Sequence, residues 1–161
     1  MMEPVVYIWG ERLAQVNVIV HLLTGLVLIG AVTHHLWLVV RGRGITHAKA
    51  IRRFSFWAAV SYLTCFAWGC FIYPAYRYYV RFLVQDERAP WATGLFEIKE
   101  HWLALGLALL PFYLVTSRSV KDLDKRERWF HYAAVVAMAV VVWYSFVLGA
   151  VVVDLRGELY R

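Results

Sequence analysis

Long runs of apolar residues divide the charged positions of this chain into short groups. Four runs stand out, at about Val16–Val40, Phe54–Tyr73, Leu95–Val115 and Trp129–Val153. Each reaches the roughly 20 residues that an α-helix needs to cross a hydrocarbon core about 30 Å thick. The pattern therefore predicts an all-α integral membrane protein, a single domain over residues 1–161 that folds as an up-down bundle of four transmembrane helices.

The composition agrees with this prediction. The 161 residues are 61% hydrophobic and 17% charged, and the mean hydropathy is +0.56. Soluble domains are about half apolar and a quarter charged, so a soluble protein of this length could not bury so much apolar sequence. The formal net charge of +6 does not indicate nucleic-acid binding, because the basic residues follow a pattern of membrane topology. Lipid is the expected surrounding, and nucleic acid is not an expected partner.

Basic residues are concentrated in two of the connections. Loop 41–53 holds five Lys or Arg residues and no acidic residue, and loop 118–128 also holds five. By the positive-inside rule both loops face the cytoplasm, so both termini and segment 74–94 face the other side. We therefore expect a multi-pass protein of the inner (plasma) membrane. Segment 74–94 and residues 1–15 are expected to lie along the outer interface.

Two histidines, His21 and His35, lie fourteen residues apart in the first apolar run. Fourteen helical residues bring the second imidazole to within roughly 40° of the first and about 21 Å further along the axis. One face of one helix then carries two potential metal ligands near opposite edges of the bilayer. Gly25 and Gly30 on the same helix permit close approach of a neighbouring helix or a flat ring.

The topology matches each of these histidines with one at the same depth on another helix. His101 lies at the outer end of the third helix and pairs with His21, whereas His131 lies at the inner end of the fourth and pairs with His35. Two imidazoles from facing helices are what a bis-histidine b-type haem requires. His34 is rotated about 140° from His21, so His35 is the preferred inner ligand and His34 the alternative.

A ligating imidazole also needs a hydrogen-bond partner for its second nitrogen. Thr24 or Thr33, both in the first apolar run, could provide it. His47 lies in a basic loop and is expected to be solvated.

The spacing of His21 and His35 in a four-helix chain resembles that of the membrane b-type cytochromes. These include cytochrome b561-like electron carriers, the cytochrome subunits of hydrogenases and formate dehydrogenases, and the core of cytochrome b. The resemblance implies two b haems, or at least one, that relay electrons between a quinone pool and a redox partner. It also implies a subunit of a larger redox complex, not a stand-alone enzyme, with a partner such as cytochrome c docking near segment 74–94. The chain departs from the b561-like pattern because His101 and His131 come from two different helices.

The start of the third helix carries a dense group of ionisable residues, Glu97, Lys99 and Glu100 beside His101. A carboxylate beside a haem ligand could accept protons as a quinol is oxidised. The alternative is structural: the two acids offset the positive end of the helix dipole, and Lys99 reaches toward the interface.

Two other functions remain open from the sequence. A copper- or metal-handling membrane protein would use Glu97, Glu100, His101, His21 and His34 to line a path for a cation, and integral copper-handling proteins are similar apolar bundles. A cofactor-free accessory bundle would only organise other membrane subunits.

Overall fold

The computed structural model describes residues 11–41, 46–78, 81 and 86–159, with residues 11–15, 153 and 155–159 described by their backbone alone. These residues form four long helices and one helical turn, and within these ranges no strand occurs. The helices are α1 (Glu11–Val40), α2 (Ala48–Tyr76), the turn α3 (Asp86–Arg88), α4 (Pro90–Arg118) and α5 (Lys125–Leu159). The predicted all-α class is confirmed.

Four helices are long and apolar enough to cross a membrane, over Val16–Val40, Ala48–Tyr76, Pro90–Arg118 and Lys125–Val152. The protein is thus a multi-pass membrane protein. All four long helices begin before the predicted spans, at Glu11, Ala48, Pro90 and Lys125. Hydropathy marks the stretch that lies in hydrocarbon, whereas the backbone hydrogen bonds of a helix continue into the polar interface.

The starts of two helices follow local sequence signals. Pro90 occupies the first position of α4, where its missing N–H costs nothing because that group would have no helical partner. At α5, the Asp124 carboxylate accepts from the Glu127 N–H at 2.8 Å, and the Glu127 carboxylate accepts from the Asp124 N–H at 2.9 Å. This reciprocal capping box defines where α5 begins.

The long helices pack as a ring of four. α1 packs against α2 and α5, and α4 packs against α5 and α2. α1 and α4 consequently stand diagonally across the bundle, as α2 and α5 do. The interior is closed by side chains with almost no exposed surface, including Val32, Tyr62, Tyr113, Val135 and Met138.

α2, α4 and α5 approach closely at Gly106. The Tyr62 hydroxyl of α2 donates to the Leu103 carbonyl of α4 at 2.6 Å. A Cβ atom placed on Gly106 would overlap that hydroxyl and lie 2.9 Å from Cγ1 of Val141 on α5. Glycine is therefore required here by space, as at the helix crossings of other membrane bundles.

Part of the predicted outer segment 74–94 forms ion pairs with the first turns of α4. α2 continues past Pro74 to Tyr76. Arg81 lies 2.5 Å from the Glu97 carboxylate and 3.8 Å from that of Asp86. Burial by itself would lower the pKa of the Arg81 guanidinium, but the hydrogen bond and the attraction of Glu97 raise it above its ordinary value. Residues 1–10 of the predicted N-terminal interfacial segment lie outside the described part of the chain.

Candidate functional site

The structure brings two histidines together inside the bundle. His35 of α1 and His131 of α5 are 0% and 2% exposed. Their ring centroids are 5.5 Å apart and the ring planes differ by 40°. Each ring continues a buried stripe of its own helix, formed by Leu28 and Val32 in α1 and by Val135 in α5.

Helix α4 supplies one hydroxyl partner to each imidazole. His35 Nδ1 lies 2.6 Å from the Tyr113 hydroxyl, and His131 Nδ1 lies 3.0 Å from Oγ1 of Thr116. Thr116 donates its own proton to the Phe112 carbonyl at 2.9 Å, so its oxygen accepts from His131. His131 therefore carries its proton on Nδ1, and the lone pair of Nε2 is free.

The second nitrogen of each ring is buried without a partner. Among the described residues, neither His35 Nε2 nor His131 Nε2 makes a hydrogen bond. A buried polar atom without a partner is costly, so these two nitrogens are available to a further partner such as a metal ion or a water molecule. In a metal-ligating histidine one ring nitrogen binds the metal and the other is held by a hydrogen bond, usually to a carboxylate, a carbonyl or water.

The spacing and the number of donors limit what that ligand can be. A metal–imidazole bond is about 2.0–2.1 Å long, so two rings that share one ion have centroids roughly 6 Å apart. In the part of the chain that is described, no group of three or more His, Cys, Asp or Glu side chains is placed to hold an ion. A structural zinc site takes four ligands from the protein, whereas a b-type haem takes two.

His34 points away from this pair. It is exposed, its Nδ1 donates to the Gly30 carbonyl at 2.7 Å, and its ring stacks on Phe54 with centroids 5.3 Å apart. His35 is thus the histidine of α1 that faces His131.

The predicted outer pair is not assembled. His21 packs against α2, with Nδ1 3.6 Å from the Cys65 sulfur, whereas His101 is exposed and its Nδ1 donates to the Glu97 carbonyl at 2.7 Å. The two rings lie on helices that face each other diagonally, α1 and α4. His101 faces away from the bundle interior, so the structure does not bring it to His21.

The ionisable group at the start of α4 is divided between two directions. Glu97 turns outward to Arg81. Glu100 is partly exposed, and the described residues form no ion pair with it. Lys99 reaches across to α5, where Nζ lies 3.5 Å from the position of a Cβ on Gly149.

The partners of the histidine pair differ from those expected. Thr24 donates to the Val20 and His21 carbonyls of its own helix, and Thr33 accepts from Nε1 of Trp143 at 3.0 Å. Tyr113 and Thr116 hold the rings instead. Their spacing of three residues within an apolar helix was a signal of a polar face in the sequence.

Comparisons of the chain with protein-family models, curated proteins and solved structures found no match. The function must accordingly be argued from the geometry of the site.

Proposed function

We propose that this protein is a membrane-embedded b-type cytochrome that relays electrons, and that His35 and His131 would hold its haem. The observation that carries the proposal is the pair of buried imidazoles whose Nε2 atoms have no partner. A haem bound there would supply one-electron chemistry at its iron.

The chain's own residues would orient and insulate the site. Thr116 fixes the proton of His131 on Nδ1, and Tyr113 holds His35 in position. Val32 and Val135, each 0% exposed, exclude water from the neighbourhood of the rings. Such burial and hydrogen bonding tune the potential of a haem.

The arrangement in the membrane follows from the basic loops. Arg41 follows the end of α1, six residues after His35, and Lys125 begins α5 six residues before His131. If basic loops face the cytoplasm, the histidine pair lies toward the cytoplasmic side of the inner membrane, with both termini on the other side. Electrons would pass between a membrane quinone and a protein partner within a larger redox complex, with the outer segment available to a cytochrome c.

Haem content and the spectrum of the purified protein test this proposal. We expect a pyridine haemochrome assay to give about one haem per chain from this site and α-band absorption on reduction. His35→Gln and His131→Gln should each abolish binding. The neighbouring variant His34→Gln is the matched control and should retain full haem content.

Other outcomes would decide between the alternatives. Haem content that is unchanged in His35→Gln and His131→Gln would contradict the assignment. A second haem that is lost in His21→Gln and His101→Gln would support the predicted outer haem site. Bound copper without haem would favour metal handling, and a protein without either cofactor would favour an accessory bundle.

A further inference from the structure

An exposed face near the start of α5 carries two basic and two aromatic side chains. Lys125, Arg126, Trp129 and Phe130 line an open surface cavity of about 560 Å³. At about 100° per residue, these four positions fall within roughly 140° of the helix circumference. His131, which is buried in the bundle, lies roughly 170° from the centre of that arc. The four side chains, which we term the basic–aromatic face, therefore point away from the bundle interior.

The positive charges of this face have no carboxylate partner. Lys125 and Arg126 are exposed, and the described residues form no ion pair with either of them. The adjacent acids, Asp124 and Glu127, lie roughly 130° or more around the helix, and each accepts a hydrogen bond from the other's backbone N–H. The Arg126 guanidinium lies over the Phe130 ring instead, with Cζ 5.7 Å from the ring centroid. Both cations are thus available to an anionic group.

The basic–aromatic face lies where a membrane-spanning helix enters the interface. The membrane-crossing part of α5 begins at Lys125, and the Trp129 side chain is 66% exposed. Exposed indole rings and basic side chains at the end of a span are typical of the depth of lipid headgroups. Ammonium and guanidinium groups both bind phosphate oxygens strongly, so the phosphate of a lipid headgroup fits this position in charge and in depth.

The same side of α5 continues into the hydrocarbon core as an apolar strip. Ala137, Val140, Trp143 and Val147 fall within the same arc of the helix and are exposed. Val140 lies about 22 Å along the axis from Lys125, which is about half the thickness of a bilayer with its headgroups. A ligand with an anionic head and a long apolar chain would therefore contact both parts of this surface, whereas a soluble phosphate would contact only the first.

We propose that the basic–aromatic face binds an anionic phospholipid, with Lys125 and Arg126 on its phosphate and an acyl chain that lies along α5 toward Val140. The lipid lies on the opposite side of α5 from His131. The proposal goes beyond the proposed function and does not depend on a haem.

Native mass spectrometry of the purified full-length protein tests the proposal by titration with phosphatidylglycerol or with phosphatidylcholine of the same chain length. The wild type should bind one phosphatidylglycerol at least about tenfold more tightly than phosphatidylcholine, because each basic side chain near the surface contributes about fivefold. The double variant Lys125→Gln with Arg126→Gln should lose this preference.

Two further variants separate the site from general effects of charge and folding. Arg52→Gln with Arg53→Gln removes the same charge from an exposed basic pair near the start of α2, so this matched control should keep the preference. Arg126→Lys retains the positive charge and should keep most of it.

Three results would overturn the proposal. These are equal affinity for the two lipids, an equal loss of preference in the two double variants, and displacement of phosphatidylglycerol by inorganic phosphate with no effect of lipid chain length, which would indicate a site for soluble anions. Haem content measured on the same samples keeps the two proposals apart. A lipid preference that depends on Lys125 and Arg126 in a protein without haem would leave this site standing and refute the proposed function.

Discussion

The close approach at Gly106 leads to a prediction that depends only on packing. In Gly106→Ala, the added methyl group would overlap the Tyr62 hydroxyl and lie 3.0 Å from Cζ of that ring. Tyr62 is 1% exposed and Val141 is 4% exposed, so neither side chain can move aside into open space. Overpacking of this kind costs about 1–3 kcal/mol. Alanine recovers up to about 1 kcal/mol of helix propensity, which leaves a net loss of about 1 kcal/mol.

Gly30→Ala is the matched control, because no atom lies within 4 Å of the position of its Cβ. At this position alanine should gain helix propensity over glycine without any packing cost. The variant should therefore be more stable than the wild type by up to about 1 kcal/mol. Unfolding in mixed micelles with increasing denaturing detergent, followed by far-UV circular dichroism, would measure both values.

A double variant identifies the cause of the loss. Adding Tyr62→Phe to Gly106→Ala removes the overlapping oxygen. The double variant should therefore lose less stability than the sum of the losses of the two single variants. The packing argument would be refuted if Gly106→Ala were as stable as Gly30→Ala, or if the two losses were additive.

The remaining predictions concern the histidine pair and the outer segment. Tyr113→Phe and Thr116→Val should each weaken haem binding about 10–100-fold, because each removes the hydroxyl that orients one imidazole. Spectroscopic titration measures the affinity. Unchanged affinity would show that these hydroxyls do not support the site. Arg81→Met should speed hydrogen exchange in residues 86–93 and change global stability by less than about 1 kcal/mol, since its ion pairs are partly exposed. A cysteine that replaces Lys121 should react with an impermeant maleimide only when the reagent can reach the cytoplasmic face. Labelling from the outside would mean that the topology is the reverse of the predicted one.

Hydropathy alone was sufficient to predict the helices, but not their ends. The first predicted span begins at Val16, whereas the backbone of α1 is helical from Glu11. α2 begins at Ala48 instead of Phe54, because Arg52 and Arg53 can extend into the interface from helical backbone. Such boundaries depend on local hydrogen bonding, which composition does not record.

The sequence by itself determined the class of protein and its four apolar helices, because length and hydropathy act along the membrane normal. Only the tertiary structure decided which histidines meet. Rotation about each helix axis and the order of helices around the bundle direct His35 toward His131 and leave His101 exposed. The rotation and the order of the helices are set by packing between them, at contacts such as Gly106 against Tyr62. A contact between residues far apart in the chain produces no periodic pattern in a single sequence.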